Sequence, residues 1–194
     1  MAVALAVAGC GAESHTAPGT SPTSAPPAAL VAQARPIGRG AGFEAPVTGP
    51  VLGPCRPRLG PRSGVHVELF AANRVVLIPA GIGTRPPRRL SSGRISGASC
   101  FGKLVTLDPT GVVLVAPGTR AHLADLFRSW GEPLTPRRLA FFRAGPAETV
   151  RAFVDGTPWR GAVAALPLRA HAEIVLEVGP YVPPHTAYTF PPGT

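Results

Sequence analysis

The sequence predicts an α+β fold, because segments with the alternation of β-strands surround one segment with the periodicity of a helix. Two segments, 65–79 and 104–116, each contain two apolar runs separated by turn residues, which indicates two β-hairpins. An amphipathic helix is predicted at about 119–130, and further strands follow it. This order is β-grasp-like, and a β-sandwich with one inserted helix is the alternative.

Turn residues define the two hairpins. In the first hairpin, Asn73 can take the positive φ that a tight turn requires. In the second, Pro109 fixes φ at the second turn position and Gly111 suits the fourth. The intervening segment 80–102 is rich in glycine, proline, arginine and serine, so it is predicted to be a long loop.

The central helix is predicted from its cap, its apolar stripe and its end. Thr119 is positioned to cap its first turn, and Gly131 to end it in the left-handed conformation. One face carries large apolar residues at helical spacing, Leu123, Leu126, Phe127 and Trp130. We therefore expect Trp130 to be buried in the core.

Strand patterns continue after the helix at 137–142 and 149–155, and Asp155 and Gly156 indicate a tight turn. The last strand, 173–178, alternates between apolar residues and glutamates. The alternation predicts that the apolar residues face the core, whereas Glu173 and Glu177 face solvent.

Composition divides the chain into four parts. Residues 1–10 match a truncated signal sequence ending in a lipobox, with Cys10 as the lipidated residue. Residues 11–62 are predicted to be a disordered tether rich in proline, alanine and serine. Residues 63–180 form the single α+β domain, and 181–194 an extended proline-rich tail.

The cysteine count supports an exported protein. If Cys10 carries lipid, the other two of the three cysteines, Cys55 and Cys100, remain as an even pair that can form a disulfide. A structural zinc site is disfavoured, because neither cysteine has a partner at the usual spacing. The sequence therefore predicts an extracytoplasmic protein anchored to the cell membrane.

The basic charge is concentrated in one segment. Residues 35–103 contain ten arginines and one lysine against two glutamates. The net charge of this segment, +9, is therefore the same as that of the whole chain. Few aromatic residues accompany these arginines, so a nucleic-acid surface is disfavoured. A solvated loop is one interpretation. The other is a surface for an anionic envelope polymer or lipid headgroups, formed by Arg85, Arg88, Arg89 and Arg94.

Several short motifs lie along the domain in a fixed order. They are Ile78-Pro79-Ala80-Gly81-Ile82-Gly83, Cys100, Leu104, Asp108, Gly111, Leu126-Phe127, Trp130-Gly131 and Leu168 to Ile174. In these positions the chain resembles an uncharacterised family of secreted or membrane-anchored bacterial proteins. Typical members of that family carry the frame H-x-H…IPAxIG…C-x3-LHTHD-x2-G-x-IHxE, then a TLxxFFxxWG helix and a final LxxHxxI strand. The family has no settled activity, so the resemblance implies a location and no reaction.

The histidines of that family suggest a metal site, since converging imidazoles suit zinc, copper, iron or nickel. Most of them are missing here: the first falls on Gly64, and the HTHD segment on 105–108. The remaining candidate ligands are His66, Asp108 and His171, too few to predict a bound metal or any other cofactor.

Catalytic motifs are also missing from the sequence. It contains no G-x-S-x-G elbow and no glycine-rich phosphate loop after a strand, and it has only three aspartates. We therefore predict a non-catalytic, lipid-anchored extracytoplasmic protein that binds or scaffolds an envelope component. The alternative is a metal-binding module with a degenerate histidine site.

Overall fold

The computed structural model describes residues 47–194, so the predicted lipobox, Cys10 and the first part of the tether lie outside the described residues. The described part is mostly β-sheet with one α-helix, which agrees with the α+β class. The elements in chain order are β1 (Ser63–Ala71), β2 (Arg74–Val76), β3 (Thr84–Ser91), β4 (Arg94–Phe101), β5 (Leu104–Val105), β6 (Val112–Val115), α1 (Leu123–Trp130), β7 (Leu134–Thr135), β8 (Arg138–Leu139), β9 (Phe142–Arg143), β10 (Arg151–Val154), β11 (Thr157–Pro158), a 3-10 turn (Val163–Ala165) and β12 (Glu173–Val178).

The main sheet has seven strands in the order β11-β10-β12-β1-β6-β5, with β2 paired to β1. Strands β1 and β12 run parallel, and the other pairs are antiparallel. Both predicted hairpins are confirmed, as β1–β2 and β5–β6. Their turns use the expected residues, because φ is 60° at Asn73 and 82° at Gly111.

The two faces of this sheet are covered differently. On one face, Leu69 and Ile174 are fully buried in a core that includes Leu126 and Phe127 of α1. On the other face, Val112 and Leu114 of β6 pack against Ile95 of the β3–β4 hairpin. Successive side chains of β5 and β6 therefore enter two separate cores.

The helix begins four residues later than predicted, at Leu123, and Thr119 does not cap it. The backbone before it is extended: Leu168 N–H donates to the carbonyl of Ala121, and His122 forms a bridge with Pro167. This pairing prevents helical φ and ψ there, so His122 takes the N-cap position. The predicted end is confirmed, since Gly131 is left-handed with φ 86°.

The predicted loop at 80–102 was wrong, because most of it forms the antiparallel hairpin β3–β4. Proline is poorly suited to a strand, which is why the sequence indicated a loop. Pro86 and Pro87 lie in a register shift between Arg85 and Arg88, so the missing amide hydrogens do not interrupt a paired segment.

The predicted strand at 137–142 was also wrong as a single element. Ala140 has φ 49°, which turns the chain between β8 and β9 and produces a small meander, β7–β8–β9. Further along, β10 lies within the predicted 149–155 segment. The turn at Asp155 and Gly156 is confirmed, with φ 50° and 77°.

Residues 47–62, placed in the tether by composition, lie against the domain. Val47 N–H donates to the carbonyl of Ala80, and Arg56 exchanges two backbone hydrogen bonds with Phe101. Arg62 is buried and donates to the carbonyls of Leu59, Gly102, Lys103 and Leu114. These contacts connect the segment to β4 of the two-stranded sheet and to β6 of the main sheet.

Candidate functional site

The parallel pairing of β1 with β12 places two polar side chains together on the second face of the sheet. His66 lies directly opposite Glu173 in the register, so both side chains project from the same face. The exposed fraction of His66 is 5%, and that of Glu173 is 1%. Buried charges without compensation are costly, so this pair needs a physical account.

The exposure predicted for Glu173 and Glu177 was therefore wrong, although the alternation correctly placed them opposite the apolar residues. Glu177 is fully buried, with Oε1 2.8 Å from Arg151 Nε and Oε2 accepting from the N–H of Val182. The prediction assumed that this face meets water. In the structure, the C-terminal part of the chain covers it.

This cover is formed by residues 181–194, the C-terminal strap. Tyr188 stacks on the ring of His66, with centroids 3.7 Å apart and planes within 13°. Phe190 lies over Gly64, where an added Cβ would come within 2.8 Å of its ring. The strap forms no strand of the sheet. The strap is therefore held by the packing of its side chains and by single hydrogen bonds such as that of the Val182 N–H, which suits a segment rich in proline.

Both ring nitrogens of His66 face oxygen atoms. Nε2 is 3.0 Å from the carbonyl oxygen of Thr110, and Nδ1 is 2.7 Å from Glu173 Oε2. The second carboxylate oxygen, Glu173 Oε1, is buried and has no hydrogen-bond partner within the described chain. Such orphaned buried oxygens are unusual in folded proteins.

Glu68 adds a second carboxylate to this centre. Its ligand atom lies within 4.8 Å of those of His66 and Glu173, and in residues 47–194 no other such group of three histidine, cysteine or acidic side chains is seen. From the strap, His185 reaches Glu68, with Nδ1 2.7 Å from Oε2. We call His66, Glu68, Glu173 and His185 the His–Glu centre.

Of the three candidate ligands from the sequence, only His66 belongs to this centre. Asp108 forms an ion pair with Arg94 and accepts a hydrogen bond from Thr110. His171 is exposed, and its Nε2 is 2.7 Å from the terminal carbonyl oxygen of Thr194. Asp108 therefore holds the turn before β6, and His171 holds the end of the strap.

The candidate arginines all lie on the β3–β4 hairpin, but in different environments. Arg88 donates to the hydroxyl of Thr84 and to the carbonyl of Val47, and burial lowers its pKa. Arg94 pairs with Asp108. Arg85 and Arg89 are exposed, with no acidic partner among the residues described. Two of the four candidates thus remain available to a ligand.

The predicted disulfide between Cys55 and Cys100 is confirmed, with the two Cα atoms 5.3 Å apart. It links the segment before β1 to the end of β4, beside the backbone bridge of Arg56 and Phe101. The base of the β3–β4 hairpin, which we call the arginine hairpin, is therefore fixed by a covalent bond and by hydrogen bonds.

A second basic feature was missed by sequence reasoning. Arg56, Arg58, Arg62 and Lys103 line a cleft of about 430 Å³ next to the disulfide. Burial, and then the nearby charge of Arg56, lowers the pKa of Arg62. Arg62 directs its donors at carbonyl groups, so its main role is to hold the loops of the cleft together.

Most of the His–Glu centre was also missed. The alternation in β1 places His66 and Glu68 on one face, and this was the only local signal for the site. Glu173 joins them through pairing between strands more than 100 residues apart, and His185 through the strap. Neither contact can be predicted from the spacing of residues in the sequence.

Within the described residues, no helix has both the length and the apolar character needed to cross a bilayer. Comparison of the chain with family models, curated proteins and solved structures finds no match.

Proposed function

We propose that this chain is a non-catalytic, lipid-anchored extracytoplasmic protein that binds an anionic polymer of the cell envelope. The observation that carries the proposal is the exposed pair Arg85 and Arg89 on the β3–β4 hairpin. Their guanidinium groups have no acidic partner in residues 47–194. They are therefore available to anions from outside the chain.

The hairpin is well suited to a linear polyanion. Arg85 pairs with Cys100 and Arg89 with Gly97, which are three residues apart on β4. The two arginines are therefore about 10 Å apart along the hairpin, so two charges of one polymer can contact both. The Cys55–Cys100 disulfide and the hydrogen bonds of Arg88 fix the hairpin base. A fixed base lowers the entropy lost on binding.

The disulfide also supports the proposed location. Such bonds persist in oxidising compartments outside the cytoplasm. With Cys55 and Cys100 joined, Cys10 is the one cysteine left for a lipid. The lipid would anchor the chain, and the segment after Cys10 would act as a spacer between the membrane and the domain.

We further propose that the main sheet is a β-grasp. In support, β2 flanks β1, β1 runs parallel to the last strand, and β10 pairs with the other side of that strand. Helix α1 lies in sequence between the first hairpin and β10. Strands β3 to β6 would then be an insertion that carries the arginine hairpin.

The polymer proposal is tested with immobilised long-chain polyphosphate as the probe. We expect Arg85→Ala/Arg89→Ala to weaken binding of the full chain on the order of tenfold at low ionic strength, because two unpaired cations are lost. The matched control is Arg160→Ala/Arg169→Ala, which removes the same charge from exposed sites elsewhere. The control is expected to change binding less than about twofold.

If polyphosphate binding is weakened equally in the two double variants, net charge explains the loss, and the proposal that Arg85 and Arg89 form the binding site is wrong. Unchanged binding in the Arg85→Ala/Arg89→Ala variant would also overturn that proposal. Vesicles rich in phosphatidylglycerol provide a second arm. If the wild-type chain binds these vesicles more strongly than polyphosphate, the ligand is lipid headgroups and not a polymer.

A further inference from the structure

The His–Glu centre contains more negative charge than its own hydrogen bonds balance. Glu68 and Glu173 lie within one group of potential ligand atoms, and Glu173 Oε1 is buried without a partner. Solvent cannot satisfy that oxygen, because Glu173 is 1% exposed. An uncompensated carboxylate in such a position destabilises the fold unless a positive charge accompanies it.

The hydrogen bonds of His66 show where that positive charge belongs. The carbonyl of Thr110 can only accept, so Nε2 of His66 carries a hydrogen. In the neutral ring, Nδ1 then holds a lone pair, and this lone pair faces Glu173 Oε2 at 2.7 Å. Two facing lone pairs repel each other, so either a proton or a metal cation must lie between them.

A metal is favoured by the way in which the ring is held. Histidine ligands almost always donate their second ring N–H to a carbonyl or a carboxylate, which orients the ring. Thr110 provides that carbonyl for His66. In addition, an added Cβ at Gly111 would come within 3.0 Å of Nε2, so the glycine gives the ring the space for this orientation.

We propose that His66, Glu68 and Glu173, together with His185 of the strap, bind a first-row divalent cation of the zinc type. Two neutral imidazoles and two carboxylates balance the charge of such a cation, and mixed nitrogen and oxygen ligands suit it. Ligand atoms in a tetrahedral zinc site are about 3.3 Å apart. The His66–Glu173 distance therefore widens by roughly half an ångström when the metal replaces the proton.

The strap contributes the fourth ligand and the cover. His185 contacts Glu68 from outside the group of three whose ligand atoms lie within 4.8 Å of one another, so its imidazole has to move inward to become the fourth ligand. Tyr188 lies flat on His66 and shields the site from water. Binding of the metal would thus fix the C-terminal strap on the sheet, since one ligand comes from the strap and the others from β1 and β12. This inference does not depend on the arginine hairpin.

The test uses the untagged full chain, titrated with Zn²⁺ by calorimetry and assayed by elemental analysis. We expect one ion per chain in the wild type. Glu173→Gln should weaken binding on the order of 100-fold, because a glutamine can donate to Nδ1 but gives no charged ligand. His185→Gln should weaken it on the order of tenfold and abolish protection of the strap from chymotrypsin by Zn²⁺.

The matched control is His171→Gln, which alters another histidine that contacts the strap but lies outside the centre. It should bind Zn²⁺ as the wild type does.

If Glu173→Gln does not fold, Glu68→Gln replaces it, because Glu68 lies nearer the rim of the centre. Wild-type chain without stoichiometric Zn²⁺ overturns the proposal and leaves a hydrogen bond as the link between His66 and Glu173. Undiminished binding in Glu173→Gln or Glu68→Gln overturns it too. An unchanged affinity in His185→Gln removes the strap from the ligand set.

Discussion

At the scale of single residues, Asp125 connects the helix to the sheet. Its carboxylate accepts from the N–H of His122 at 3.1 Å, and lies 3.0 Å from Lys103 Nζ and 2.7 Å from Arg128 Nη2. Burial alone raises the pKa of Asp125. The hydrogen bonds from Lys103 and His122, and then the charges of Lys103 and Arg128, outweigh burial, so the net pKa is lowered.

This lowered pKa predicts how stability depends on pH. The contribution of Asp125 is complete above its unfolded pKa of 3.8 and is lost as the pH falls through the lower folded value. At pH 7 we expect Asp125→Asn to reduce the free energy of unfolding by about 1–2 kcal/mol. Urea unfolding of both proteins from pH 7 to pH 2 measures this. A difference that stays constant below pH 3.8 would contradict the assignment.

At the scale of elements, α1 packs on the sheet through one stripe of apolar side chains. The last residue of this stripe is less buried than the others. Leu123, Leu126 and Phe127 are fully or almost fully buried, whereas Trp130 is only partly buried and contacts Phe127 with ring centroids 5.5 Å apart. The prediction that Trp130 is buried in the core is therefore confirmed only in part, because Trp130 packs against the core but remains partly exposed. The helix ends at Gly131, so its last turn lies at the margin of the core.

The two aromatic residues should thus differ in their contribution to stability. We expect Phe127→Ala to cost about 3–5 kcal/mol, because it leaves a cavity in the core. Trp130→Ala should cost about 1–2 kcal/mol, in proportion to the smaller apolar area removed from water. Thermal melts and urea titrations of both variants provide the comparison. A larger loss for Trp130→Ala than for Phe127→Ala would reverse this assignment.

At the scale of the whole molecule, covalent and side-chain links hold the irregular segments on the sheet. The disulfide fixes residues before β1, and the strap covers the face that carries the His–Glu centre. By chain entropy, a disulfide closing a loop of about 46 residues contributes on the order of 4 kcal/mol. Part of the stability of this domain therefore depends on Cys55 and Cys100 remaining oxidised.

The proposed anchor gives the whole-molecule prediction. In a bacterial host that lipidates exported proteins, metabolic labelling with an alkyne fatty acid should mark the wild-type chain, and Cys10→Ala should lose the label. Ser14→Ala, in the same segment but without a thiol, is the matched control and should label fully. Equal labelling of the wild type and Cys10→Ala would rule out the lipid anchor.

Local sequence determined the elements whose signals are short in range. Alternation and turn residues such as Asn73 and Gly111 were enough for the two hairpins, and Gly131 for the helix end. The even pair of cysteines predicted the Cys55–Cys100 disulfide. These features depend on the φ that a residue can adopt or on a simple count, and neither requires knowledge of distant contacts.

Tertiary structure alone decided the start of the helix, the β3–β4 hairpin and the centre on the covered face. Pairing with residues 166–168 keeps 121–122 extended despite a helical pattern. Alternation placed Glu173 on the face opposite the core, but could not show that residues 181–194 exclude water from that face. The physical reason is that the environment of a side chain depends on what packs over it. Here that cover comes from another part of the chain, held by side-chain contacts that leave no periodic pattern in the sequence.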